Sequence, residues 1–214
     1  MKKSMLVLAV FLSLLSCRKS RMNPIEPPVV QEKVTDYFPM TDGSYWIYRQ
    51  YNADSSLIFS ESNDFDSVAI DKDTLIRGIL YKKISSSFLG PVFMRDSSGY
   101  LINDWGAKFF TVNKDTSVLR IEYPIAPDSS LVLTAVMQNS DSISVVPAGQ
   151  FMAKYVLGTL TSIGLTSAWS GQRNLFNSYS KNVGKVCRRL AWAYQGTYIE
   201  ERLVRYRVVG NQTP

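Results

Sequence analysis

The 214-residue chain contains no histidine. Without imidazole there is no Ser-His-Asp or Cys-His hydrolase, no His-ligated zinc or haem, and no histidine general base. Cysteine is nearly absent too, with only Cys17 and Cys187, and there is no C-x-x-C pair, Walker loop or G-x-G-x-x-G run. Long apolar runs are missing: the longest, Met5 to Leu15, is about half of the ~20 residues a helix needs to span a bilayer. Any chemistry would fall to carboxylates, lysine, tyrosine or the backbone. What remains is ordinary for a globular domain, with an apolar fraction of 45%.

The first segment reads as an address. Lys2 and Lys3 precede the apolar run, and Ser16-Cys17 follows it, the order of a secretory signal with a small residue before the cut. Leu14-Leu15-Ser16-Cys17 resembles a bacterial lipobox. That resemblance implies cleavage before Cys17 and lipid attachment to it; each buried methylene contributes roughly 0.8 kcal/mol, so several acyl chains make a stable anchor. Removal of residues 1–16 leaves enough chain for one domain with a substantial core. Residues 17–33 carry Pro24, Pro27 and Pro28 and read as an extended tether. The folded domain is expected over 34–210, with 211–214 as a tail. With Cys17 lipidated, Cys187 has no disulfide partner and is expected to be a buried small hydrophobe.

From Val34 onward short runs rich in Val, Ile, Thr, Tyr and Phe alternate with Asp, Asn, Ser and Gly. This pattern predicts an all-β domain: a curved antiparallel sheet, as a half-open barrel or sandwich, with at most one or two short helical turns. Strands are expected at 44–51, 75–84, 92–95, 100–103, 131–137, 142–146, 151–160, 183–194 and 198–209. Hairpins are expected at 96–99 and 138–141, and a long connection at 161–180. A two-residue loop at Gln195-Gly196 would set Arg189 against Arg202, a like-charge pair, so a bulge or longer loop is expected there. Pro147 and Gly149 mark a sharp corner. Gly184 marks a bulge or a close backbone approach.

Enzymatic motifs fall away on inspection. Ser178-x-x-Lys181 matches S-x-x-K but lacks a following helix and a later K-T-G. Asp64, Asp66, Asp71 and Asp73 lack the glycine and glutamate of a calcium loop and read as a solvated turn region. Glu200 and Glu201 are adjacent, so a strand sends them to opposite faces. No metal site and no cofactor is expected. Charge is uneven: residues 34–150 hold 9 basic and 14 acidic side chains, and residues 151–214 hold 9 and 2. The basic third either pairs with the acidic part or forms a patch from Arg188, Arg189, Arg202, Arg205 and Arg207 for an acidic partner.

Tyr37-Phe38-Pro39-Met40, then Gly43, Tyr45, Trp46 and Tyr48, resembles the opening of a family of uncharacterised Bacteroidetes lipoproteins. The likeness continues at Asp73-Thr74 with Gly78 and Tyr81, at Arg95 to Tyr100, at Val146-Pro147-Ala148-Gly149-Gln150-Phe151, at Val183-Gly184-Lys185-Val186, and at Leu203 with Tyr206. It implies a curved antiparallel sheet or half-barrel, distantly similar to periplasmic lipoprotein carriers that hold acyl chains, and it implies no activity. Acidic residues, which often follow the cysteine of surface-exported relatives, are missing here, which favours the periplasmic face of the outer membrane.

The sequence therefore predicts a non-enzymatic envelope protein, joined to a membrane through lipid on Cys17 and without nucleic acid as a partner. Its first reading is a binding or interaction module for an envelope protein or glycan. The alternative is a carrier with an apolar ligand in a half-barrel; a carboxylate enzyme ranks last. Trp46, Tyr48, Trp105, Trp192 and Tyr206 are the candidate ligand-facing aromatics. They, with Phe93 and Phe151, are also core candidates. An apolar cavity of several hundred Å3 facing Trp46 or Trp192 would favour the carrier.

Overall fold

The structure, a computed structural model, describes residues 31–113, 119–138, 140–164, 172–191 and 197–210. Alternation along the chain becomes alternation across a sheet. In β1 (Tyr45–Ala53) Trp46, Tyr48 and Gln50 are buried, while Tyr45, Ile47 and Tyr51 on the other face are less so. A meander continues through β2 (Phe59–Ile76), β3 (Ile79–Ser86), β4 (Val92–Ser97), β5 (Tyr100–Asn103) and β6 (Lys108–Thr111). The second half holds β7 (Leu119–Ala126), β8 (Ser129–Met137), β9 (Ser142–Val146), β10 (Gly149–Ile163), β11 (Gln172–Ser180), β12 (Gly184–Ala191) and β13 (Tyr198–Arg207).

These strands form one antiparallel 13-stranded sheet in the order β6-β5-β4-β3-β2-β1-β13-β12-β11-β10-β8-β7, with β9 also on β10. Apart from β10 against β8, each half is built from neighbours in sequence, and β1 against β13 joins the two. The end strands β6 and β7 touch without pairing, so the domain is a nearly closed barrel and not a sandwich. A four-residue helix, α1 (Val34–Tyr37), packs against the core. Tyr37 meets the Phe110 ring at 5.5 Å, and the Asn182 amide donates to the Asp36 carbonyl at 2.6 Å.

Turn chemistry acts where the sequence placed it. Ser98 and Gly99 both adopt positive φ between β4 and β5, the geometry of a tight two-residue hairpin. Val146 pairs with Gly149 across Pro147-Ala148. The β12–β13 connection is longer than two residues, and its register sets Arg188 opposite Glu201 and Arg189 opposite Glu200, which avoids the like-charge pair.

Several expectations are corrected. The stretch 161–180 is not a long connection: β10 runs to Ile163 and β11 fills 172–180. Polar residues at alternate positions of β11 had masked a strand whose Leu175, Asn177 and Tyr179 face inward. The helical turn lies at 34–37 instead. Residues 138–141 do not close a hairpin, because β8 and β9 pair with successive parts of the 15-residue β10. Asp64 to Asp73 is not a turn region; it lies within the 18-residue β2, whose Asp66 is fully buried. Strands β6 and β7 went unforeseen. The fold also begins earlier than residue 34: Glu32 accepts from the Tyr37 hydroxyl at 2.7 Å and pairs with Lys154 at 3.3 Å.

Candidate functional site

The barrel interior is not filled. Inward-facing side chains from both halves of the sheet enclose a cavity of about 490 Å3. Val68, Ile84, Met94, Leu101, Ala135 and Val156 form apolar walls. Trp46 and Tyr48, both buried, also line the cavity. Leu89 and Trp105, 53% and 80% exposed, lie at the mouth.

Trp46 is fixed from two directions. Its indole N–H donates to the Val183 carbonyl at 2.6 Å, and its ring lies against Gly184, where an added Cβ would sit 3.0 Å from the indole nitrogen. Tyr48 donates its hydroxyl to the Lys185 carbonyl at 2.8 Å. Burial holds the Tyr48 phenol well above its ordinary range.

The floor carries charge. The Arg188 guanidinium forks onto Glu201, with Nη2 to Oε1 at 2.6 Å and Nε to Oε2, and its Nη2 lies 3.4 Å from Asp66. Asp66 also accepts from Ser86 Oγ at 2.9 Å, Ser87 Oγ at 3.1 Å and the Phe88 amide at 3.1 Å. Both carboxylate side chains are wholly buried. A buried charge is tolerated when it is paired and hydrogen-bonded. Burial opposes the Arg188 cation, but its bonds to Glu201 and the charges of Glu201 and Asp66 hold it above its ordinary value.

Lys185 differs. Burial, then the charge of Arg188, push its ammonium down to about 7, against the upward pull of Glu201 and Asp66. Lys185 is half-buried and lines the cavity. Its Nζ stands 5.3 Å from the centre of the Tyr48 ring, and among the described residues that nitrogen has neither an ion pair nor a hydrogen bond.

Of the aromatics named from sequence, Trp46 and Tyr48 line the cavity. Trp105 is not a core residue; it stands at the mouth in a turn braced by Asn103 Oδ1, which accepts from its amide at 3.1 Å. Tyr206 packs edge-on to Phe151 at 6.1 Å, away from the lining. Trp192 and Cys17 lie outside the described residues. The five arginines do not form one patch. Arg188 binds Glu201, whereas Arg189 and Arg202 both bind Glu200, at 2.9 and 2.7 Å. Arg205 and Arg207 are exposed near the end of β13. Cys187 is buried, and burial pushes its thiol up.

Asp66, Lys185 and Glu201 were not singled out from sequence as site residues. For Asp66 the signal was parity: it stands two and four residues before Val68 and Ile70, which face inward with it. Among the described residues no three acidic or thiol groups converge as a metal would need, and no helix is long and apolar enough to cross a membrane.

Neither a family model nor a curated protein matches the chain. Among solved structures, a protein of Parabacteroides distasonis ATCC 8503 described as a lipoprotein is 13% identical, with a TM-score of 0.50 over 83% of this chain and 100% of its own. A protein of Bacteroides fragilis NCTC 9343, described as exported and with a YmcC-like fold, is 13% identical, with a TM-score of 0.43 over 80% of this chain and 98% of its own. At such identity the likeness to the first shows a common fold.

Proposed function

We propose that this chain is a cell-envelope lipoprotein, anchored through Cys17, whose barrel holds one apolar or amphiphilic ligand without transforming it. The cavity carries this reading: its 490 Å3 falls within the roughly 300–1,000 Å3 of small-molecule sites, and it joins apolar walls to a few convergent polar groups. The signal and lipobox pattern at 1–17 supports the envelope location, as does a fold held in common with a protein described as a lipoprotein. The module reading offers the sheet face or the basic last strands as its surface; of the five arginines on those strands, three are bound to carboxylates. An acid/base role for the floor is disfavoured, since Arg188 engages both Asp66 and Glu201.

Native mass spectrometry of the full chain, released in detergent from its own membranes, tests the proposal. A bound small molecule that leaves on activation is expected. A bare protein mass, with thermal stability unchanged by added lipid extract, would overturn it.

A further inference from the structure

The polar groups at the cavity floor do not share their partners equally. Arg188 binds both Glu201 and Asp66, one cation against two carboxylates, and Asp66 spends much of its remaining capacity on Ser86, Ser87 and the Phe88 amide. Lys185 is left over, on the same wall, with cavity space in front of it. A neutral ligand that filled this space would bury the amine without a partner, at a cost. A cation would meet Lys185 and Arg188, and the one carboxylate in the lining, Asp66, is already taken by Arg188, two seryl hydroxyls and the Phe88 amide. An anion would find a donor that the floor has not used.

We infer that the ligand held in this barrel carries an anionic head group, a carboxylate or phosphate, which pairs with Lys185 while its apolar chain lies against the walls formed by Val68, Ile84, Leu101 and Val156. This rests on the proposed ligand-holding role and names the ligand's chemistry. The groups around Lys185 are Tyr48 from β1, Asp66 from β2, Tyr179 from β11, Arg188 and Cys187 from β12, and Glu201 from β13. Arriving negative charge offsets the desolvation and the Arg188 repulsion that disfavour the ammonium, so binding draws a proton onto Lys185. Affinity for the anion therefore falls as pH rises above about 7, and affinity for an uncharged analogue does not.

The test is competition native mass spectrometry on the detergent-released full chain with dodecanoate, dodecyl phosphate, dodecanol and dodecylamine. One or both anions should bind at least about tenfold more tightly than dodecanol and dodecylamine, the worth of one charge-assisted hydrogen bond; the stronger of the two identifies the head group. Lys185→Met should abolish that preference, leave dodecanol binding intact and keep native circular dichroism. Lys185→Arg should keep the preference and lose its dependence on pH near neutrality. If none of the four binds, the ligand-holding role itself fails. If dodecanol binds as tightly as the anions, or Lys185→Met leaves the preference unchanged, the head-group assignment fails and the cavity reading stands.

Discussion

Gly184 has no side chain because Trp46 occupies the space one would fill. Its φ of +103° lies where L-residues are strained, and the indole stands against its Cα. Gly184→Ala should therefore destabilise the domain by about 1–3 kcal/mol, read as a lowered urea midpoint at unchanged slope; an unchanged midpoint would place the indole elsewhere. The close approach at Gly184 was legible in the sequence, because a glycine inside a Val-rich strand marks either a bulge or a neighbour pressed against the backbone. The adjacent Lys185 was not legible as a site residue. Val186 is an extra residue in the β11–β12 ladder, where Ser178 pairs with Cys187 and Tyr179 with Lys185. That bulge puts Lys185 and Arg188 on one face although they are three apart, and no period-2 reading anticipates it.

The β2–β3 hairpin shows what one element can carry. Its turn places Arg77 at φ +50° and Gly78 at φ +77°, and the pair Leu75–Leu80 leaves both leucines largely exposed. An arginine in the left-handed region is strained, whereas asparagine visits it readily. Arg77→Asn should stabilise the protein by about 0.5–1 kcal/mol, seen as a raised melting temperature with native circular dichroism; a fall would mean that the guanidinium holds a contact in solution. The Ser98-Gly99 turn declares itself by composition, whereas Arg77-Gly78 sits inside what reads as one strand over 75–84 and is the hairpin between β2 and β3. Pairing is not declared by composition either. The length of β10 lets it receive both β8 and β9, and the chain between those two resembles a hairpin loop only when read locally.

The barrel as a whole depends on one long-range pairing. Every other ladder joins strands close in sequence, but β1 meets β13 across most of the domain, and through it the acidic first half and the basic last third come together at Asp66 and Arg188. The proposed tether and anchor belong to this scale too. If Cys17 carries lipid, Cys17→Ser should abolish incorporation of labelled palmitate into the chain when cells are fed the label; continued labelling would remove the anchor from the proposal. The cavity also exists only at this scale, because Val68, Leu101, Ala135 and Val156 each look like ordinary core residues until their four strands curve around the same space.

The sequence by itself determined the class of fold, the position of most strands, the Ser98-Gly99 turn and the burial of Cys187, since each depends on local alternation, on glycine's tolerance of positive φ, or on a thiol amid apolar neighbours. The tertiary structure decided that the sheet nearly closes and does not stack as a sandwich, that the closure leaves an interior space, and which charges meet there. Those outcomes come from register, bulges and the β1–β13 pairing, which bring residues over a hundred positions apart onto one face. A basic run that suggested a surface patch thus became a buried pair with Glu201, two arginines clasping Glu200, and one lysine facing the cavity.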